Sequence, residues 1–208
     1  MNAENRYRGQ GDYPLDRQGY FDAVNAGVRL VGKRVAAIHC GPLQRTRDTA
    51  YVIGQITGVS GESHKVEKGL INLDYGDWEG LTPKECLERD PDLYTRYRTD
   101  PAVAYCPSGE KLLDAGDRFI DALQDLWVLY GGQGVAVAVV THGVMIRLAL
   151  ARLIGPERWQ QKSVGTGGIA VLEGGNGRWK LAGVDDELPT RIISLVDPVP
   201  VGVRVSGV

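Results

Sequence analysis

Cysteine is scarce in this chain. The three present, Cys40, Cys86 and Cys106, lie far apart with no CxxC spacing, so a zinc ribbon or a disulfide framework has little support and reduced, cytosolic thiols are expected. An excess of charge of one sign is lacking too, with 24 Lys and Arg against 26 Asp and Glu. A net charge of -2 and a pI near 5.9 give no broad positive field, which argues against nucleic acid or an anionic membrane as a partner. Any phosphate site must therefore be local. Long apolar runs are missing: the longest candidate, Val135 to Val140, is strand-sized, far short of the roughly 18 residues that cross a bilayer. No charged n-region followed by an apolar stretch opens the sequence, and the cytoplasm is the expected compartment. With 43% hydrophobic and 24% charged residues, no internal repeat and no linker, residues 1–208 are expected to fold as one domain.

What is present alternates. Tyr20 to Val31 has helical spacing before Gly32, Val35 to Ile38 reads as a short strand, and Leu43 to Gly54 resumes the helical pattern. A weak strand follows at Lys65 to Glu67, then a helix from Pro83. Asp90 to Pro107 reads as an irregular or helical excursion over the sheet. Leu112 to Tyr130 is the longest amphipathic helix, and Gly131 to Gly134 turns the chain into the valine-rich run Val135 to Val140, a buried strand. Ile146 to Leu153 is helical, Ile169 to Glu173 and Arg178 to Val184 pair as a hairpin around Gly174 to Gly177, and a Pro- and Val-rich tail closes the chain. Strand and helix in alternation predict an α/β fold, a three-layer αβα sandwich with a mostly parallel central sheet.

Two junctions could carry chemistry. Thr141-His142-Gly143 lies where the buried strand ends and a helix begins, and a helix N-terminus at the carboxyl end of a parallel strand offers free N–H groups and a positive dipole to an anion. His142, with Gly143 behind it, sits at that mouth. Cys40 to Thr49 repeats the arrangement after the shorter strand, and the rigid donor forks of Arg45 and Arg47 match phosphate oxygens.

Gly41-Pro42-Leu43-Gln44-Arg45-Thr46-Arg47-Asp48-Thr49-Ala50 resembles the second motif of the histidine phosphatase (phosphoglycerate mutase-like) superfamily. The resemblance implies that Arg45 binds the phosphoryl group. Thr141-His142-Gly143 resembles the family's second histidine-glycine motif, whose histidine contacts that group. Pro107-Ser108-Gly109-Glu110 and Asp74-Tyr75-Gly76-Asp77-Trp78-Glu79-Gly80-Leu81 match two further phrases, in the family's order. Asn2 to Asp12, followed by Pro14-Leu15, looks like the stretch just after the family's arginine-histidine-glycine-glutamate signature. On this match Asn2 contacts phosphate and Arg8 and Gly9 belong to a loop that touches substrate.

The pattern breaks in two places. The arginine-histidine-glycine strand that supplies the family's nucleophile is absent, because the sequence starts at Met1. That strand is central in the family's sheet, and its loss would leave about five backbone groups unpaired at about 1–3 kcal/mol each if buried. The expected explanations, in order, are a longer native chain, a shifted strand or partner filling the gap, and degeneration. An unpaired edge would also invite association of copies into a homo-oligomer. The second break is Asn72, at the position of the family's proton-donating glutamate. Asn72 is retained among the substrate-binding positions, and in an extended segment Asp74 would project to the same face, about 6–7 Å along, as a displaced acid.

The resemblance implies a phosphomonoester hydrolase acting on a small phosphorylated metabolite without a cofactor, its nucleophilic histidine supplied by an N-terminal segment. Residues 82–110 are expected to form a cap over the site. A mutase is less favoured because Leu81 to Cys106 is short for a closed cap. Two other readings stay open: a non-catalytic phosphate-ligand or partner-binding module, and an enzyme that reuses the pocket for another biosynthetic reaction.

Overall fold

A computed structural model describes residues 5–59, 61–159, 164–175, 178–185 and 192–196. Asp16 opens helix α1 (Arg17–Leu30), its carboxylate accepting the Gly19 N–H at 2.8 Å. The buried face of α1 includes Ala23, Ala26 and Gly27, and a Cβ on Gly27 would lie 2.8 Å from Ile56, so small residues let α1 close onto the next helix. Strand β1 (Val35–Cys40) leads to that helix, α2 (Gln44–Thr57), which ends at left-handed Gly58 (φ 76°) before β2 (His64–Val66). A capping box between Thr82 and Glu85 starts α3 (Pro83–Arg89), and α4 (Pro91–Thr99) follows at once with proline again in its first turn.

Helix α5 (Leu112–Tyr130) spans the residues its apolar periodicity predicts, and β3 (Ala136–Val140) then runs parallel to β1 and is buried throughout. Its unbroken apolar run has a physical cause: Val137 and Val139 pack with α5 and α6 (Gly143–Leu153), while Ala138 and Val140 pack with α1 and α2. These two cores make the three-layer α/β sandwich expected from the alternation. No helix among the described residues is long and apolar enough to cross a membrane.

Strands β4 (Ile169–Gly175) and β5 (Arg178–Asp185) form the expected antiparallel hairpin, with Asn176 and Gly177 outside the described residues. The tail departs from expectation. Ile192–Val196 forms strand β6, inserted between β3 and β4, antiparallel to the first and parallel to the second. The sheet order is β2-β1-β3-β6-β4-β5, so the centre of the sheet, where a missing strand would leave an unpaired edge, is closed by pairing of β3 from Ala136↔Val196 to Val140↔Ile192. The ground for expecting association through that edge is gone.

His39, at the end of β1, is 1% exposed, with Nδ1 2.9 Å from Glu67 Oε1 and Nε2 3.1 Å from the Tyr130 hydroxyl. A neutral ring with Nδ1–H donating to Glu67 and Nε2 accepting from Tyr130 satisfies all three groups. Burial depresses the pKa below the usual 6.5, against the opposing pull of Glu67. Its contribution to stability is therefore complete above about pH 6.5 and is lost as pH falls toward the depressed folded-state value. Thermal melts between pH 7.5 and 5 are expected to show a smaller acid loss for His39→Gln than for the wild type.

Candidate functional site

The carboxyl ends of β1 and β3 open on one cleft of about 810 Å³. Helix α6 begins there with His142 as its N-cap, 4% exposed, and Gly143 as its first residue. Thr141 beside them is held by its hydroxyl, which donates to Leu70 O at 3.1 Å. Helix α2 begins at the same mouth with Arg45 in its first turn. Two helix N-termini thus converge on the cleft, each adding partial positive charge where free N–H groups concentrate.

Arg45 Nη1 donates to Gly11 O at 2.7 Å and Nη2 to Gly9 O at 2.8 Å, so the arginine also fastens the N-terminal loop across the cleft. Asn72 Nδ2 donates to the same Gly9 carbonyl at 2.9 Å, and the Asp12 carboxylate accepts the Gln44 N–H at 2.6 Å. On the far side of the loop the Gln10 N–H donates to Glu79 Oε1 at 2.7 Å, while Tyr7 exchanges backbone hydrogen bonds with Gly80 and Leu81. Gly9 has φ 48°, and a Cβ there would lie 1.7 Å from Glu79 Oε1. Gly9→Ala is accordingly expected to cost about 1–3 kcal/mol through strain and collision, read as a drop in melting temperature with weaker phosphate binding.

Of the residues expected at the site, Arg8, Arg45, Asn72, His142 and Gly143 line the cleft. Asn2 lies outside the described residues. Gly9 is not on the lining; its carbonyl is turned to Arg45 and Asn72, a backbone role rather than a ligand contact. Asp74 is not on it either, and the reason is local. Tyr75 is helical (φ -84°, ψ -6°) and Gly76 has φ 52°, so the chain turns after Asp74 instead of alternating, and the Asp74 carboxylate accepts the Gly76 N–H at 2.8 Å. Asn72 is 7% exposed, and its Oδ1 has no hydrogen-bond partner among the described residues.

The two remaining family-like phrases pack on each other. Asp77 N–H donates to Pro107 O at 2.8 Å and Glu110 N–H to Asp74 O at 3.0 Å, while Gly76 and Gly109 leave no room for a Cβ between the strands of chain. Glu110 takes both donors of an Arg118 fork, at 3.1 and 3.0 Å. Of the two phrases, Tyr75 is the residue that lines the cleft.

Sequence reasoning missed several lining residues: Arg6, Arg98 and Arg147, together with Tyr7, Tyr75 and Tyr97. Burial holds the Tyr7, Tyr75 and Tyr97 phenols well above their usual range, so they are protonated donors in the wall. Arg147 had a legible signal, being the first charge in the apolar run Gly143 to Leu153, four residues after Gly143. Five arginines and two aspartates, Asp16 and Asp22, line the cleft, the local positive field that the net charge left open. The described residues contain no cluster of three or more His, Cys, Asp or Glu side chains that could hold a metal ion. All three cysteines are free and buried, and burial pushes the Cys40 and Cys86 thiols up to about 11.

The chain is 32% identical over 152 residues to a bifunctional protein of Mycobacterium tuberculosis, covering 72% of this chain and 40% of that one. It thus spans about two fifths of the length of that relative. It is 30% identical over 160 residues to a glucosyl-3-phosphoglycerate phosphatase of Mycolicibacterium vanbaalenii, covering 74% of this chain and 69% of the relative. Bacillus stearothermophilus YhfR has a similar structure, with a TM-score of 0.75 and 26% identity over 89% of this chain and 90% of its own. The profile of the histidine phosphatase superfamily (branch 1) matches residues 1–187, taking in the Arg45 and His142 junctions and the loop fastened between them, and the chain belongs to that superfamily.

Proposed function

We propose that this chain forms the phosphate-binding body of a phosphomonoester hydrolase acting on a small phosphorylated metabolite. The observation that carries the reading is the convergence of His142 and Arg45, each at a helix N-terminus, on one arginine-lined cleft. Preorganised donors aimed at phosphoryl oxygens stabilise the charge of an in-line transfer, and that reaction needs little else from a protein beyond positioning. Residues 82–110 supply part of the wall through Pro83, Tyr97 and Arg98, which is what a cap would do.

The nucleophile is a histidine outside these 208 residues in this reading. His39 is committed to Glu67 and Tyr130, and His64 packs against α2 at Gly54, so neither can take the role. The family resemblance makes the nucleophile-bearing strand central in the sheet, and β6 sits there between β3 and β4, so in this reading an incoming strand displaces β6. Asn72 favours the second reading, a phosphate-ligand module without turnover, since an amide cannot protonate a leaving oxygen. The two separate on one assay. Release of phosphate from 4-nitrophenyl phosphate by the chain joined to an N-terminal segment that carries the histidine, abolished by His142→Ala, supports the hydrolase; phosphate binding without release by the same protein supports the module.

A further inference from the structure

We propose that the cleft recognises a second anionic group on its ligand, a carboxylate or a phosphate, through the guanidinium of Arg147. The proposal rests on the reading of His142 and Arg45 as the phosphoryl site.

Arg147 sits four residues after Gly143 on α6. Residues at that spacing share a helix face, and helical side chains lean toward the N-terminus, so its long side chain reaches back to the end of the cleft that holds His142. Its guanidinium carbon lies 3.8 Å from the centroid of the Trp159 ring. Trp159 is itself fixed, 1% exposed, with Nε1–H donating to Tyr97 O at 3.1 Å. Stacking occupies the face of the guanidinium and leaves its in-plane donors unused.

Those donors have no acceptor among the described residues, and Nε is buried. Leaving a buried charged donor without an acceptor is costly. The carboxylates on the cleft lining do not compensate: Asp16 accepts the Gly19 N–H and Asp22 accepts from Gln18 Nε2 at 3.0 Å, both within the α1 segment. Arg147 is thus a fork held rigid by packing and lacking an acceptor, in the cavity that holds the phosphoryl site. Arg98 lines the same cleft and adds charge of the same sign. A carboxylate or phosphate oxygen pair fits this geometry; a neutral hydroxyl leaves the charge unmatched.

The test is calorimetric titration of the 208-residue chain with methylphosphonate, phosphonoacetate and methylenediphosphonate. The first has one anionic head, the second adds a carboxylate, and the third adds a phosphonate. The wild type is expected to bind at least one two-headed ligand about tenfold or more tighter than methylphosphonate, the size of a charge-assisted hydrogen bond. Whichever is preferred identifies the second group. In Arg147→Met the preference is expected to fall to about one, and in Arg147→Lys, which keeps charge but loses the fork, to an intermediate value. Near-UV circular dichroism checks that both variants keep the wild-type packing, and Arg147→Lys decides the matter if Arg147→Met does not fold. Equal binding of all three ligands by the wild type, or a preference that survives both substitutions, overturns the proposal while leaving the phosphoryl site standing. Failure of all three ligands to bind overturns both.

Discussion

Arg45→Ala is expected to weaken binding of inorganic phosphate about a hundredfold, with Arg45→Lys recovering only part of the loss. Two effects add. The substitution removes a cation from the N-terminus of α2, where in the proposed reading helix dipole and guanidinium act on the same ligand. It also removes both donors to Gly9 O and Gly11 O, which leaves Asn72 alone holding the Gly9 carbonyl. Lysine restores a point charge but cannot span two carbonyls with a fixed fork. Titration with phosphate reads the first effect, and hydrogen exchange of the loop amides, including the Gln10 N–H bonded to Glu79, reads the second. Affinity within threefold of the wild type would show that Arg45 only fastens the loop.

Trp78→Ala is expected to cost about 3–5 kcal/mol, enough to lower the melting temperature by about 10 °C. Trp78 is fully buried, meets Tyr94 and Tyr97 edge-on at 5.5 and 5.6 Å, and donates from Nε1 to Asp90 Oδ2 at 2.8 Å. Asp90 caps the junction between α3 and α4, so the substitution opens a cavity and strips a partner from that corner together. The damage reaches the cleft, because Tyr97 packs on Trp159 and also lines the wall, with its hydroxyl bonded to Tyr75 at 3.0 Å. Trp78→Phe keeps a smaller aromatic ring and loses the Asp90 bond, and a drop of about 1–3 kcal/mol is expected for it. Denaturant unfolding of the two variants separates packing from hydrogen bonding.

Helix α5 and strand β3 were legible because each is specified by its own residues, one by an amphipathic period and the other by a run covered on both faces. The Arg45 and His142 junctions were legible for a related reason. A strand followed by a glycine and a helix puts a side chain at a mouth whatever surrounds it. Asp74 was misplaced because face alternation holds only while the chain stays extended, and Gly76 turns it. Strand β6 was missed because Ile-Ile-Ser-Leu-Val in a Pro-rich tail says nothing about which edge is open, a property of the other strands. Gly9 presented a similar difficulty, since the need for glycine there is set by Glu79, seventy residues away in the chain.

The position of β6 also bears on the order in which the molecule assembles. Without it the sheet is two separate pieces, β2-β1-β3 and the β4-β5 hairpin, and the pairing Ala136↔Val196 that joins them links residues sixty apart. A chain emerging from the ribosome can form the first piece once residue 140 is out, yet cannot close the sheet until residue 196 has followed. At about 5–20 residues per second that interval lasts several seconds, during which the flank of β3 that β6 later covers is open to any extended segment nearby, the N-terminal strand of the proposed hydrolase included.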